Sequence, residues 1–431
     1  MRRVMLLLSV LFATFVGCGS ELIGTSTKSV LPADQVNDIL RQGEFDYSLV
    51  APVEFSITVN SFDDAGEGAR ALVESAPIVV SLTDANGDPL LVASVADGET
   101  MSGEVLVTVS DESVTLTIDS PEHETREVVI DDPAQFEEIN RVMAVMVATG
   151  EKVTSDRDGD GIDDYYDAFP DDPQIAFSRT IPASGSLKIA FEDNYPELGD
   201  GDYNDFVADY RVVEHRDAKN GLVRVEGTAR ASARGAGFDH EFGIVVDFPG
   251  HSGTAEVRYF DGNGSPDGTT TQEVNDAVRI VLFESTKAAF TREGDSVSND
   301  NVDPDRPASL GYTTTFTITY TVTRLESSTA IWAPYDPYLL IDNPNLDYRP
   351  DVHLIGKRPL ADSANPSGFK DFRDADGFPR ALLVPGDWAT PVEQTHIETA
   401  YPSFRLWRES LGSTDSDWYF YPESAHVASM Q

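Results

Sequence analysis

The 431-residue sequence predicts a mainly β fold: an N-terminal antiparallel β-sandwich, a short helical connector, an acidic loop and a larger, sandwich-like C-terminal β domain. Three observations carry this. Apolar and polar residues alternate with period two in short runs such as 53–59, which puts every second side chain on a buried face. The runs are rich in Val, Thr, Ile, Phe and Tyr and are separated by turn chemistry such as Asp84-Ala85-Asn86-Gly87-Asp88-Pro89. The length exceeds that of a usual single domain, and a hydrophobic share of 40% suffices for more than one core.

The chain opens with Arg2 and Arg3, then a run over 4–16 that is apolar except for Ser9 and Thr14. That run is too short to span a bilayer comfortably and reads as the core of a signal peptide over residues 1–17. Cys18 follows directly and is the only cysteine, which excludes internal disulfides and thiolate metal clusters. A lone Cys after a signal core and a small residue, here Gly17, resembles a bacterial lipobox, with Phe15 where Leu is usual. The resemblance implies that Cys18 is diacylated and becomes the mature N-terminus. Gly19 and Ser20 lack the Asp that retains such lipoproteins at the inner membrane, so the outer membrane or cell surface is expected.

Residues 18–45 read as a tether with one short helix over 33–42. The β-sandwich follows over 46–131, with strands expected at 53–59, 78–82, 90–95, 104–109 and 113–118. Residues 132–152 are expected to form the connector helix. Asp132 suits an N-cap, Pro133 the first helical position and Gln135 a capping box, while Phe136, Ile139, Met143 and Met146 recur at helical spacing before Gly150. After an acidic loop at 153–173, the larger β domain takes 174–431. Its clearest strands are 187–191, 206–213, 222–231, 241–248, 277–283 and 313–325, with a short helix near 398–411.

The charge balance, 74 Asp plus Glu against 31 Lys plus Arg for a net of −43, would repel nucleic acid and an anionic membrane face. Divalent cations are the natural partners of such a surface. Acidity also keeps exported proteins soluble, so the spacing of the acids decides. The loop centres on Asp156-Arg157-Asp158-Gly159-Asp160-Gly161-Ile162-Asp163-Asp164-Tyr165-Tyr166-Asp167. Calcium takes six to eight oxygens, and a tight loop aims them inward. Asp156, Asp158 and Asp160 fall at positions 1, 3 and 5 of an EF-hand-style order, Gly161 at the turning position 6, and Ile162 at position 7, where the backbone carbonyl is the ligand. Asp164 stands at position 9 and Asp167 closes the loop at position 12. Asp163 is expected to face solvent. With Phe169-Pro170-Asp171-Asp172-Pro173 behind it, the segment resembles a thrombospondin type-3 calcium repeat without the cysteines of the animal form.

A second acidic motif runs Phe191-Glu192-Asp193-Asn194-Tyr195-Pro196-Glu197-Leu198-Gly199-Asp200-Gly201-Asp202-Tyr203-Asn204-Asp205, followed by Phe206-Val207-Ala208-Asp209-Tyr210. Asp200, Asp202, Asn204 and Asp205 place oxygen ligands together on a turn between two strands, and Glu192 and Asp193 leave the preceding strand nearby. A second calcium site is one reading; a turn whose Asp and Asn side chains bond their own backbone is the other. The motif resembles the signature of the LruC-type domain of bacterial surface lipoproteins. His240-Glu241-Phe242-Gly243, Phe248-Pro249-Gly250, Asp351-Val352-His353-Leu354 and the Trp407 to Trp418 tail extend the likeness over roughly residues 155–425. The resemblance implies surface location and calcium more than any reaction.

No catalytic arrangement stands out. The seven histidines form no HExxH or other short zinc spacing. Gly250-His251-Ser252-Gly253 departs from a nucleophile elbow because Thr254 stands where the last Gly belongs. His240 and His353 sit in strand-like contexts that suit structural histidines. The expectation is a non-catalytic, calcium-binding surface lipoprotein, membrane-attached through lipid at Cys18, with a structural or adhesive role and an unspecified glycan or protein ligand. The alternative is a carbohydrate- or matrix-binding module stacking sugars on Trp332, Tyr335, Tyr338, Trp388, Trp407 and Trp418.

Overall fold

The computed structural model describes residues 45–62, 77–146 and 155–428, apart from 46, 110, 121–123, 137, 292–298, 322–332, 334 and 362–370. The expected signal peptide, Cys18, the tether up to 44, Gly150 and Trp332 lie outside the described residues, as does the end of the 313–325 run.

The N-terminal sandwich has two sheets. One orders β4 (Thr100–Thr108), β1 (Val50–Phe62) and β7 (Glu138–Met146); the other orders β3 (Pro89–Val95), β2 (Ile78–Thr83), β5 (Ser113–Asp119) and β6 (Arg126–Asp131). The period-two pattern does what it implies. Val53, Phe55, Ile57 and Val59 of β1 are buried against Val80 and Leu82 of β2 and Val114, Leu116 and Ile118 of β5. Each such side chain contributes roughly 1.5–3 kcal/mol of hydrophobic stabilisation.

Of the connector helix expected over 132–152, the described residues of 132–146 form none. Pro133–Gln135 is a single 3-10 turn, and Asp132, at φ 49°, makes no side-chain cap hydrogen bond. Residues 138–146 extend as β7, pairing in parallel with β1 from Glu54 opposite Glu138 to Phe62 opposite Met146. Ile139 and Met143, four residues apart, share a face in a strand as well as in a helix. The strand wins because the open edge of β1 supplies backbone partners, and because Ile139 and Met143 enter the sandwich core while Glu138 and Asn140 stay exposed.

The C-terminal domain is built on an eleven-stranded sheet. Its strands are β8 (Phe177–Ile181), β9 (Leu187–Phe191), β10 (Phe206–Arg216), β11 (Leu222–Gly235), β12 (Asp239–Phe260), β13 (Pro266–Phe283), β15 (Asn299–Asp300), β17 (Thr313–Tyr320), β18 (Asp336–Asp342), β19 (Asp351–His353) and β20 (Ala381–Pro385); β14 (Phe290–Thr291) and β16 (Leu310–Gly311) pair separately. The main path runs β19-β18-β12-β17-β11-β10-β9-β20. The first part of β12 pairs with β18 and its last part with β17. Between them lies a register break at Asp247 to Ser252, and Gly250 supplies the positive φ of 82° that the bend needs. Phe191, Phe206, Phe242 and Phe283 meet in the core at ring separations of 5.2 to 6.1 Å.

A second core lies on the other side of β9, β10 and β20. Trp388, Tyr401, Phe404, Trp407 and Trp418 gather there with the helix Pro402–Glu409. Tyr47 and Leu49, just before β1, belong to this core too. The Tyr47 hydroxyl donates to the Gly377 carbonyl at 2.9 Å and accepts from Arg408 at 2.7 Å. The two sandwiches also meet directly. Asn220 donates to the Ser94 carbonyl at 2.8 Å, the Ser94 amide donates back to the Asn220 side chain at 3.1 Å, and Arg179 donates to the Glu104 carbonyl at 2.8 Å.

Candidate metal centres

Residues 155–173 lie where the sandwiches meet. Ile162 is 1% exposed and packs with Ala176 and Phe177 beside Val92 of the first sandwich and Ala218 of the second. Its apolar side chain therefore anchors the loop. Gly159 and Gly161 take φ of 80° and 100°, a region closed to most side chains, and this lets the chain coil round its own carboxylates. Asp156 accepts from the amides of Gly159 at 2.7 Å and Gly161 at 3.0 Å; Asp158 from Asp160 at 3.2 Å; Asp160 from Ile162 at 2.8 Å; Asp167 from Phe169 at 2.6 Å.

Those bonds leave one oxygen each of Asp158, Asp160 and Asp167 buried with no hydrogen-bond partner. Asp156, Asp158 and Asp160 bring oxygens within 4.8 Å of one another. Burial, and behind it the charges of Asp160, Asp158 and Asp164, pushes Asp167 up to about 6. Unpaired buried carboxylate oxygens in mutual repulsion are costly, and a divalent cation is the partner that relieves all of them at once. The donor set, all hard oxygens, fits calcium. Asp164 is different: it accepts from the Ser155 hydroxyl at 2.8 Å and the Arg157 amide at 2.9 Å, which holds its carboxyl below the usual range. It braces the loop mouth. Asp163, expected in solvent, caps the loop by accepting from the amides of Ser155 at 2.9 Å and Tyr165 at 3.0 Å.

The second motif folds where β9 leaves the sheet and β10 enters it. Glu192, Asp200 and Asp202 converge with oxygens within 4.8 Å. The Glu192 carboxylate sits inside the turn, accepting from Tyr203 at 2.6 Å and Gly201 at 3.3 Å. Asp202 accepts from Asn204 at 3.1 Å and from Gln394, on a distant segment, at 2.8 Å. Asp205 accepts from the Asp193 amide at 2.7 Å, and Asp193 pairs with His240 at 3.0 Å. Backbone-bonded turn and convergent acids thus coexist, since a carboxylate oxygen that accepts one hydrogen bond keeps a second lone pair. Burial, then the charges of Glu192 and Asp200, pushes Asp202 up to about 9; burial pushes Glu192 up to about 7. Asp205 is raised well above the carboxylate range by burial and by Asp193, Glu192 and Asp202. Asp209 turns away to Lys188, 3.8 Å distant.

The remaining candidates resolve into structure. His353 is buried between Asp336 at 2.8 Å and Asp351 at 3.0 Å, and His240 between Asp193 and Thr286. Of the rings considered for sugar stacking, Tyr335, Tyr338, Trp388, Trp407 and Trp418 are all buried at 0 to 1% exposure, so they serve packing and offer no face to a sugar.

Residues 220–419 match a family model described as a domain of unknown function (DUF4842). No curated protein matches the sequence. Among solved structures, the chain is similar to a "putative lipoprotein" from Bacteroides ovatus, at 13% identity and a TM-score of 0.53, over 83% of this chain and 100% of that one. A "putative adhesin" from the same organism aligns over 73% of this chain and 82% of that one at 10% identity, with a TM-score of 0.14 that carries no weight. The first likeness shows a shared β architecture across both sandwiches.

Proposed function

We propose that the chain is a calcium-binding, non-catalytic lipoprotein held at the outer membrane or cell surface by lipid on Cys18, and that its calcium stiffens the joint between two β-sandwiches in a structural or adhesive role. The observation that carries the reading is the set of three buried, unpartnered oxygens of Asp158, Asp160 and Asp167 in a loop wedged between the domains. In the proposed site the side chains of Asp156, Asp158, Asp160 and Asp167 and the carbonyl of Ile162 hold the ion. Asp164 acts at the rim, through its bonds to Ser155 and Arg157. The order of these residues is that of a thrombospondin type-3 repeat, and the LruC-type likeness of the 191–210 motif fits a surface lipoprotein. Asp200, Asp202, Asn204 and Asp205, with Glu192, form the second proposed calcium centre.

An ion that binds only the ordered loop stabilises the fold by mass action, on the order of 2.7 kcal/mol at a hundredfold excess over Kd. Chelation with EDTA should therefore lower the melting temperature and expose residues 150–175 to protease. A melting curve and a digestion pattern that ignore thorough chelation overturn the proposal.

A further inference from the structure

Two buried oxygens beside the second motif have no explanation within the motif. Asn204 is completely buried, and its amide nitrogen donates to the Pro391 carbonyl at 3.1 Å, which fixes the opposite orientation for Oδ1. That Oδ1 has no hydrogen-bond partner, and neither does the buried Oε2 of Glu393. Both face the same point: a Cβ added to Gly235 would collide with Asn204 Oδ1 and Glu393 Oε2 together. Gly235 thus leaves open the space into which an amide oxygen and a carboxylate oxygen converge. With Glu393 ionised, neither oxygen can donate to the other, so the pair is then repulsive unless a cation lies between or beside them.

The surroundings point the same way. Asp202, already converged with Glu192 and Asp200, accepts from the amide of Gln394, the residue after Glu393. The guanidinium of neighbouring Arg234 donates to Phe238 and Thr286.

We infer that Glu393 and the Asn204 side-chain oxygen are ligands of a divalent cation at the second acidic centre, so that the ion ties the 391–396 segment to the turn between β9 and β10. This rests on reading that centre as a calcium site and adds a ligand nearly two hundred residues away in sequence. The carboxylates of the turn supply charge, and Glu393 adds a ligand from a separate segment. The ion would then lock together two parts of one domain, a role distinct from the joint served by the first loop.

The test uses the mature full-length chain with Asp158→Ala and Asp160→Ala, which removes the first site. Isothermal titration with calcium should find a remaining site, and adding Glu393→Gln, nearly equal in size but uncharged, should weaken it by about tenfold or more. Hydrogen exchange on the chain that keeps Glu393 should show amides of 391–396 slowed by calcium, a readout that stands even where the Gln variant misfolds. Unchanged affinity in the Gln variant, or exchange at 391–396 that calcium does not slow, overturns the role of Glu393 and leaves the second centre standing. Absence of any remaining calcium site overturns both the second centre and Glu393, and leaves the first loop untouched.

Discussion

Asp167 has one oxygen held by the Phe169 amide and the other buried without a partner, at the position that closes the loop. Asp163, four residues earlier, has both oxygens engaged by amides at the loop mouth. Asp167→Ala should therefore weaken calcium binding by at least about tenfold, and Asp163→Ala by much less, in isothermal titration of the two variants. Equal losses would mean that the loop register is wrong. The order of the acids was legible in the sequence because the whole loop spans twelve consecutive residues. Glu393 was not legible, since a ligand that arrives from a distant segment obeys no spacing rule. Asp164 was read as a ligand for its position; Ser155, just outside the loop, and Arg157, its second residue, also engage that side chain.

At the scale of elements, β7 is where the sequence misled. The apolar spacing of Ile139 and Met143 fits both periods, and only the open edge of β1 decides between them. The two geometries make different demands on Phe136: a connector helix puts it on the packed stripe, whereas the structure leaves it 42% exposed. Ile139→Ala should cost about 2–4 kcal/mol in denaturant unfolding, and Phe136→Ala under about 1 kcal/mol. A large cost at Phe136 would count for the helix. β17 was legible because its residue types and alternation agree with its burial, and β9 because its apolar residues suit a strand buried on both faces. The outer half of the β12–β13 hairpin was not, because residues 266–273 of β13 are exposed and carry no apolar rhythm.

For the whole molecule, the net charge of −43 concentrates its consequences in two acidic centres, one partly exposed and one buried. Asp167 rises to about 6, Glu192 to about 7 and Asp202 to about 9, all above their ordinary values. A carboxyl whose pKa is higher folded than unfolded binds more protons in the folded state between those two values, so stability falls as pH rises through that window. The calcium-free protein should accordingly lose melting temperature from about pH 4 to 9, and calcium, which needs the ionised ligands, should restore progressively more of it as pH rises. Melting curves with EDTA and with calcium at pH 5, 7 and 9 check this. A gap that stays constant with pH would place the ions away from these carboxylates. The mainly β class and the existence of two sandwiches were legible from alternation. How the sandwiches are joined was not, because the contacts of Ser94 with Asn220 and of Tyr47 with Arg408 unite residues that no local pattern connects.

The placement of Tyr47 has a mechanical consequence. The chain reaches the second domain's aromatic core, with Phe45 and Tyr47 against Trp407 at 5.0 and 6.0 Å, before it enters the first sandwich, and it returns to the second domain through the loop at 155–173. The first sandwich therefore hangs as a closed loop off the second. Tension drawn from the N-terminal side arrives at the Tyr47 clasp and passes straight into the larger domain, so a molecule pulled from its leading end would carry the load there while the first sandwich rode along unstrained.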